Sequence, residues 1–218
     1  MSWSNIPVTY ISFNQRAIRS RYIAETYESL LHGDILDVGC WEADLREAVN
    51  NSDAKYTGID FGGRPDIEAN LEKLDRLPFE DSQFDCVVCT DVLEHLENLH
   101  FIAGELARVS KKHLIISLPN NWVNARQPIA RGRGSVDKYG LPIEAPKDRH
   151  KWFFNLSEAR AFLEGYAEKY ELKLLEMHVT EKPRPALVRF WLKLGKPAQE
   201  AYLNRYAHTI WASFEKLG

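Results

Sequence analysis

Two carboxylates and one glycine set the chemistry open to this chain. Asp37 stands two residues before Gly39, at the end of the apolar run that begins Ile35-Leu36, and Asp60 follows 21 residues after that glycine. An apolar run ending in acid-x-glycine, then the helix-prone segment Glu42 to Val49, is the pattern of a buried parallel strand, a tight turn and a helix. Lys55-Tyr56-Thr57-Gly58-Ile59-Asp60 repeats the strand with its acid at the matching end. In open α/β sheets ligands bind beyond such strand ends, and an acid about 20 residues after the glycine reaches ribose hydroxyls. These residues point to a nucleoside site. The nicotinamide fingerprint Gly-x-Gly-x-x-Gly fails, because Trp41 and Asp44 hold its second and third positions, where a pyrophosphate needs open amides. A cofactor with a ribose but no pyrophosphate fits better, with Asp37 available to an ammonium group. A nicotinamide-dependent oxidoreductase is the weaker alternative.

Two histidines are candidate bases, since imidazole titrates near neutrality. His95 lies in Thr90-Asp91-Val92-Leu93-Glu94-His95-Leu96, which leaves a strand end, and His150 lies in the charged segment Asp148-Arg149-His150-Lys151-Trp152. Capping or packing is the plainer role for each, and His113, at the opposite end of a strand, is read as structural. Cys86-Val87-Val88-Cys89 has the spacing of a redox or metal pair. It sits in an apolar strand, however, where residues three apart face opposite sides. It is read as core. No metal site is assigned, although assistance by a metal at Asp91 or Asp148 stays open.

The elements that must carry these groups follow from periodicity. Ile18, Tyr22, Thr26 and Leu30 space a helix that Gly33 stops, giving an N-terminal helical extension over 1–33. After the strands ending at Cys40 and Asp60 come a short strand in 66–71, the strand 84–89, a helix from about Leu96 to Val109 and the strand 113–118. Residues 121–155 show little periodicity. A stretch longer than about fifteen residues without structure is usually functional, and this one leaves the same sheet edge as the acids, so it is read as a substrate lid. Ser157 then caps a helix with Arg160 where a capping box needs an acid. The strand 172–180 follows, then a helix from Pro185 to Gly195 and Pro197, a short helix 198–206, and a final strand 207–216.

From about Ile35 to Asn120 the chain resembles the class I S-adenosylmethionine-dependent methyltransferases. Asp37 and Gly39 match the opening of their first motif, with Trp41 and Ala43 where later glycines usually stand. Leu77-Pro78-Phe79-Glu80-Asp81, Phe84-Asp85 and Leu93-Glu94-His95 match a second segment more closely. The resemblance implies an α/β, Rossmann-like fold: a seven-stranded, mostly parallel sheet with helices on both faces, the last strand antiparallel, and residues 1–218 as a single domain. It implies S-adenosylmethionine as cofactor, with Gly39 and Cys40 at the methionine part and Asp60 at the ribose. Phe61, Asn70 and Leu71 would lie at the adenine, and Thr90 and Asp91 at the mouth. Lys138 to Pro142 and Asp148 to Phe154 are similar to small methyltransferases encoded with surface-polysaccharide enzymes. Arg126 and Arg149 then suit an anionic group on the acceptor, and Tyr139 and Trp152 a sugar ring. The activity implied is O-methylation of a sugar, a glycan or another small hydroxyl acceptor. A catalytically inactive scaffold that keeps the fold is the alternative, resting on Trp41 and Ala43.

Composition narrows the setting. A 218-residue chain with net charge −3 lacks the basic footprint of a general nucleic-acid binder. No apolar run approaches eighteen residues, so no membrane span is expected, and the first twenty residues do not read as a signal peptide. Three cysteines suit a reducing compartment, the cytoplasm, and the glycosylation-like triplets at Asn50 and Asn155 carry little weight there. The oligomeric state is left open.

Overall fold

The structure, a computed structural model, describes residues 2–49, 52–146, 148–196 and 198–217. Asn50 and Pro197 lie outside them. Eight strands form one sheet: β1 (Val8–Tyr10), β2 (Asp34–Val38), β3 (Lys55–Asp60), β4 (Ile67–Glu68), β5 (Phe84–Thr90), β6 (Ser110–Pro119), β7 (Leu172–Glu181) and β8 (Ala207–Lys216). Their order is β1-β7-β8-β6-β5-β2-β3-β4. Only β8 runs antiparallel, to both β6 and β7; the remaining pairs are parallel. This is the expected Rossmann-like sheet with one addition: the N-terminal segment contributes β1, in register with Val179 to Glu181 at the edge. The carboxyl ends of β2, β3, β5, β6 and β7 therefore share one rim.

The central strands are apolar on both faces because helices cover both. On one face Ile35, Cys86, Val88, Ile115 and Trp211 pack against Tyr22, Ile23 and Tyr27 of helix α1 (Arg16–Thr26) and the chain that follows it. On the other, Val87, Cys89, Leu114 and Ile116 meet α3 (Leu99–Val109) and α5 (Leu156–Lys169). Cys86 and Cys89 lie on opposite faces, each fully buried and unpaired. Helix α2 (Asp44–Ala48) follows β2, while α6 (Ala186–Leu194) and α7 (Gln199–Tyr206) join β7 to β8.

Three local expectations are corrected. Residues 121–131 are not irregular but form α4 (Asn121–Arg131), capped by Asn120, whose side chain accepts from the Trp122 amide, and closed by left-handed Gly132. Only Asn121 and Ala125 of α4 are buried, so its sequence shows no apolar stripe, and Pro128 inside it reads as a breaker. The α5 cap is Asn155 rather than Ser157. Moving the cap back two residues puts Glu158 at the third position, and a full capping box forms: Asn155 Oδ1 accepts from the Glu158 amide at 3.0 Å, and Glu158 Oε2 from the Asn155 amide at 2.9 Å. Finally, α3 begins after Asn98, because Leu93–His95 closes its own 3-10 turn. Among the described residues no helix is long and apolar enough to cross a membrane.

Candidate active site

Gly39 turns the chain at the end of β2 with φ +81, and a Cβ there would lie 2.2 Å from Val92 Cγ2, so backbone meets the β5 exit loop directly. Trp41 (φ 47) and Ala43 (φ 56) keep the left-handed backbone although neither is glycine. Left-handed residues other than glycine cost roughly 1–2 kcal/mol each and gather where a site over-determines them. Asp91, on the facing strand end, is a third (φ 52).

Asp37 is buried at the mouth of β2, accepting a 2.7 Å hydrogen bond from the Tyr56 hydroxyl. Burial pushes its carboxyl up to about 7. No described Lys or Arg pairs with it, so the site holds a desolvated acid that a ligand's ammonium would neutralise. Asp60 ends β3, its two oxygens held by the Trp41 amide (2.8 Å) and the Phe61 amide (2.6 Å). Each oxygen retains acceptor capacity for a ribose hydroxyl. The Cys40 thiol is turned onto Gly58 and pushed up to about 12, chiefly by burial, so only its backbone can serve a cofactor. Phe61 is 53% exposed and edge-on to Trp41, as an adenine wall would be. Asn70 caps the turn Leu71–Lys73 through the Glu72 amide, with Leu71 buried beneath. Asp91 accepts from Ser117 Oγ at 2.7 Å and pairs with Arg19 of α1 at 2.7 Å, while Arg16 lies over the Trp41 ring. Thr90, half-buried, pairs with Ser117 across β5 and β6. A buried acid, a close-approach glycine and a carboxylate fixed at the end of β3 fit S-adenosylmethionine.

The two candidate histidines meet. The rings of His95 and His150 stand 4.5 Å apart, nearly perpendicular. Asp148 Oδ1 approaches His95 Nδ1 to 2.6 Å, off the N–H axis, and Lys138 pairs with the same carboxylate. Burial holds His95 below its usual range, against the pull of Asp148, so the ring is neutral near pH 7. Its Nε2 faces Glu94 Oε1 at 3.7 Å. On His150, Nδ1 is 3.0 Å from Asn121 Nδ2, and Asn121 Oδ1 accepts from the Phe154 amide. That fixes the Asn121 amide as donor, so neutral His150 carries its proton on Nε2 and is a donor, not a base. Burial, with His95 and Lys138, lowers His150 to about 4.

Glu94 is the residue sequence reasoning passed over, although it sits inside Leu93-Glu94-His95. It is 1% exposed, its Oε2 has no partner, and burial together with Asp91 raises it well above the carboxylate range. One ligand atom from each of Glu94, His95 and His150 fits within 4.8 Å of the others, a set able to hold a metal ion. The remaining candidates spread out. Tyr139 packs edge-on to His150 and donates to the Trp152 carbonyl, and the Trp152 indole donates to the Leu96 carbonyl at 2.8 Å. Arg126 lies over Tyr206 of α7, and Arg149 is exposed.

A family profile described as a methyltransferase domain matches residues 36–116. The chain is 27% identical over 210 residues to the ubiquinone biosynthesis O-methyltransferase of Photobacterium profundum, covering 88% of this chain and 83% of that protein. The protein of the same name from Sodalis glossinidius is 30% identical over 154 residues, 58% of this chain and 62% of its own length. Magnesium protoporphyrin IX methyltransferase from Synechocystis PCC 6803, solved with S-adenosylhomocysteine bound, superposes with a TM-score of 0.55 at 16% identity, over 96% of this chain and 90% of that one. The fold is shared. Residues 36–116 carry a methyltransferase domain, and the chain shares the fold of solved methyltransferases, one of them with S-adenosylhomocysteine bound.

Proposed function

We propose that this S-adenosylmethionine-dependent methyltransferase methylates a hydroxyl oxygen of a small acceptor, sugars and glycan units included, with His95 as general base. The observation that carries this is the Asp148 carboxylate 2.6 Å from His95 Nδ1. It favours the tautomer with the proton on Nδ1, leaving the Nε2 lone pair for a hydroxyl proton. The names of the relatives, O-methyltransferases, support an oxygen acceptor. Bound cofactor supplies the electrophilic methyl. The chain's own task is alignment, which provides most of the acceleration in such a displacement. Asp37 and the Gly39 turn would take the methionine part, Asp60 the ribose, and Phe61, Asn70 and Leu71 the adenine. Segment 121–155 serves as the lid, with Arg126, Tyr139, Arg149 and Trp152 on the acceptor side. Three unpaired, buried cysteines support a reducing, cytoplasmic setting. The test is transfer of labelled methyl to a panel of phenols, sugars, amines and carbon acids. Label on oxygen is expected; label confined to nitrogen or carbon would overturn the reading.

A second reading rests on Glu94, His95 and His150 as ligands of a divalent cation, which would lower the pKa of a coordinated acceptor hydroxyl. It requires His150 to offer a lone pair at Nε2, opposite to the tautomer that Asn121 sets. The base reading therefore leads. Turnover that survives exhaustive chelation separates the two.

A further inference from the structure

Helix α6 packs with its apolar side outward. Leu187, Phe190, Trp191 and Leu194 are exposed at 68%, 56%, 65% and 58%, and no residue of the helix is buried. Its opposite edge ties it down. The Arg189 guanidinium stacks 4.1 Å above Tyr10, the Lys193 ammonium lies 5.2 Å above Tyr202, and Leu192 rests on the core. A surface helix ordinarily buries its apolar stripe. A contiguous patch of this kind marks an interaction surface.

The flanking charge says which. Lys182, Arg184, Arg189, Lys193 and Lys196 fall between Glu181 and Glu200, with no acid among them. Arg184 pairs with buried Glu181, and Arg189 and Lys193 hold the inward edge, which leaves exposed Lys182 and half-buried Lys196 as the cations of the fringe. A second copy of the chain would set the same cations against these, which disfavours self-pairing. Exposed aromatic and aliphatic side chains on a segment whose charged residues are all cations are the chemistry of a helix lying in the plane of an anionic bilayer surface. The placement is functional as well. Because β7 runs parallel to β5 and β6, α6 leaves the same rim as Asp37, Asp60 and the lid, and Arg126 of α4 shares the Tyr206 ring with Arg184 and Lys196.

We propose that the outward apolar face of α6 and its cationic fringe dock this protein, by the rim that carries its active site, on an anionic lipid surface. The site then faces hydroxyl acceptors held at that interface; this consequence rests on the O-methylation reading, whereas the docking does not. The test is co-sedimentation of the full chain with vesicles of phosphatidylcholine alone or mixed with phosphatidylglycerol. Partition is expected to be at least about tenfold stronger with phosphatidylglycerol and to weaken with salt. Phe190→Ser with Trp191→Ser should abolish it, and Lys182→Glu with Lys196→Glu should erase the lipid preference. S-adenosylhomocysteine binding, measured by calorimetry, should be unchanged in both, which shows that the fold and the cofactor site persist. Three results would overturn the proposal: no partition to either vesicle, equal partition to both, or a concentration-dependent dimer that the Phe190/Trp191 pair of substitutions dissolves.

Discussion

The Asp148 carboxylate of segment 121–155 stands 2.6 Å from His95 Nδ1 on the β5 exit turn, so that segment touches the candidate base directly. The contact is bent in the free protein, and catalytic hydrogen bonds of this kind commonly straighten when substrate binds. Asp148→Asn keeps the size and removes the charge that favours Nδ1–H. Turnover should fall by about 10²-fold or more, within the range of general-base effects, and His95→Ala at least as far. Calorimetry should show unchanged S-adenosylhomocysteine affinity in both. Unaltered turnover in His95→Ala would remove it as the base.

Asp37, as the proposed partner of the cofactor's ammonium group, should make binding sensitive to pH. Its carboxyl, pushed by burial from an ordinary 3.8 up to about 7, stays protonated in the folded protein where the unfolded chain has already lost the proton. The folded state then binds more protons between roughly pH 4 and 7, so stability falls as pH rises through that window and levels off above it. Ligand binding runs the other way, because an ammonium beside Asp37 favours the carboxylate. Affinity for S-adenosylhomocysteine should rise from pH 5.5 to 7.5 with proton release, seen as a buffer-dependent enthalpy. Asp37→Asn should flatten both profiles, and an unchanged affinity profile in that variant would assign the titration elsewhere.

Gly39→Ala tests the close approach. The left-handed backbone costs alanine about 1–2 kcal/mol, and a Cβ placed 2.2 Å from Val92 Cγ2 adds overpacking of about 1–3 kcal/mol. Urea unfolding should show the sum. Val92→Ala in the same chain should recover part of the loss, since the two residues touch and their effects are not additive. Equal destabilisation with and without Val92→Ala would mean that the backbone, not the contact, governs.

Asp60→Ala should weaken S-adenosylmethionine binding at least about tenfold, since a hydrogen bond to a charged group contributes about 1.5–3 kcal/mol. Its carboxylate also orders the Trp41 and Phe61 amides, so part of the loss comes through the turn. Unchanged affinity would end the ribose assignment.

What could be read ahead follows from how local the signal is. Asp37, Gly39 and Asp60 were legible because strand, turn and acid are adjacent in sequence, and the final strand because Ile210, Ala212 and Phe214 alternate. The first motif looked damaged at Trp41 and Ala43, yet the backbone there keeps the left-handed turn; residue type hid a retained shape of chain. Helix α4 was hidden because it buries only two residues, and the Asn155 cap because Ser157 offered a nearer hydroxyl. The pairing of Asp148 with His95 and of Asn121 with His150 joins distant segments, which no spacing rule anticipates. The outward face of α6 is invisible to periodicity, which reports a stripe but not which way it turns.

The segment proposed as a lid is pinned at its far end and open in its middle. Trp152 Nε1 donates to the Leu96 carbonyl, the Lys151 amide to the Glu94 carbonyl and the Tyr139 hydroxyl to the Trp152 carbonyl, while Leu141 and Ile143 are fully exposed. A glutamate-specific endoprotease should therefore cut first after Glu144, exposed in the same stretch, because cleavage tracks local opening. Acceptor bound together with S-adenosylhomocysteine should slow that cut several-fold, and Trp152→Phe, which loses one hydrogen bond of about 1 kcal/mol, should speed it without changing cofactor affinity. A cutting rate at Glu144 that acceptor leaves untouched would make 121–155 a fixed surface segment rather than a lid. The acceptor roles of Tyr139 and Trp152 would then fall with it.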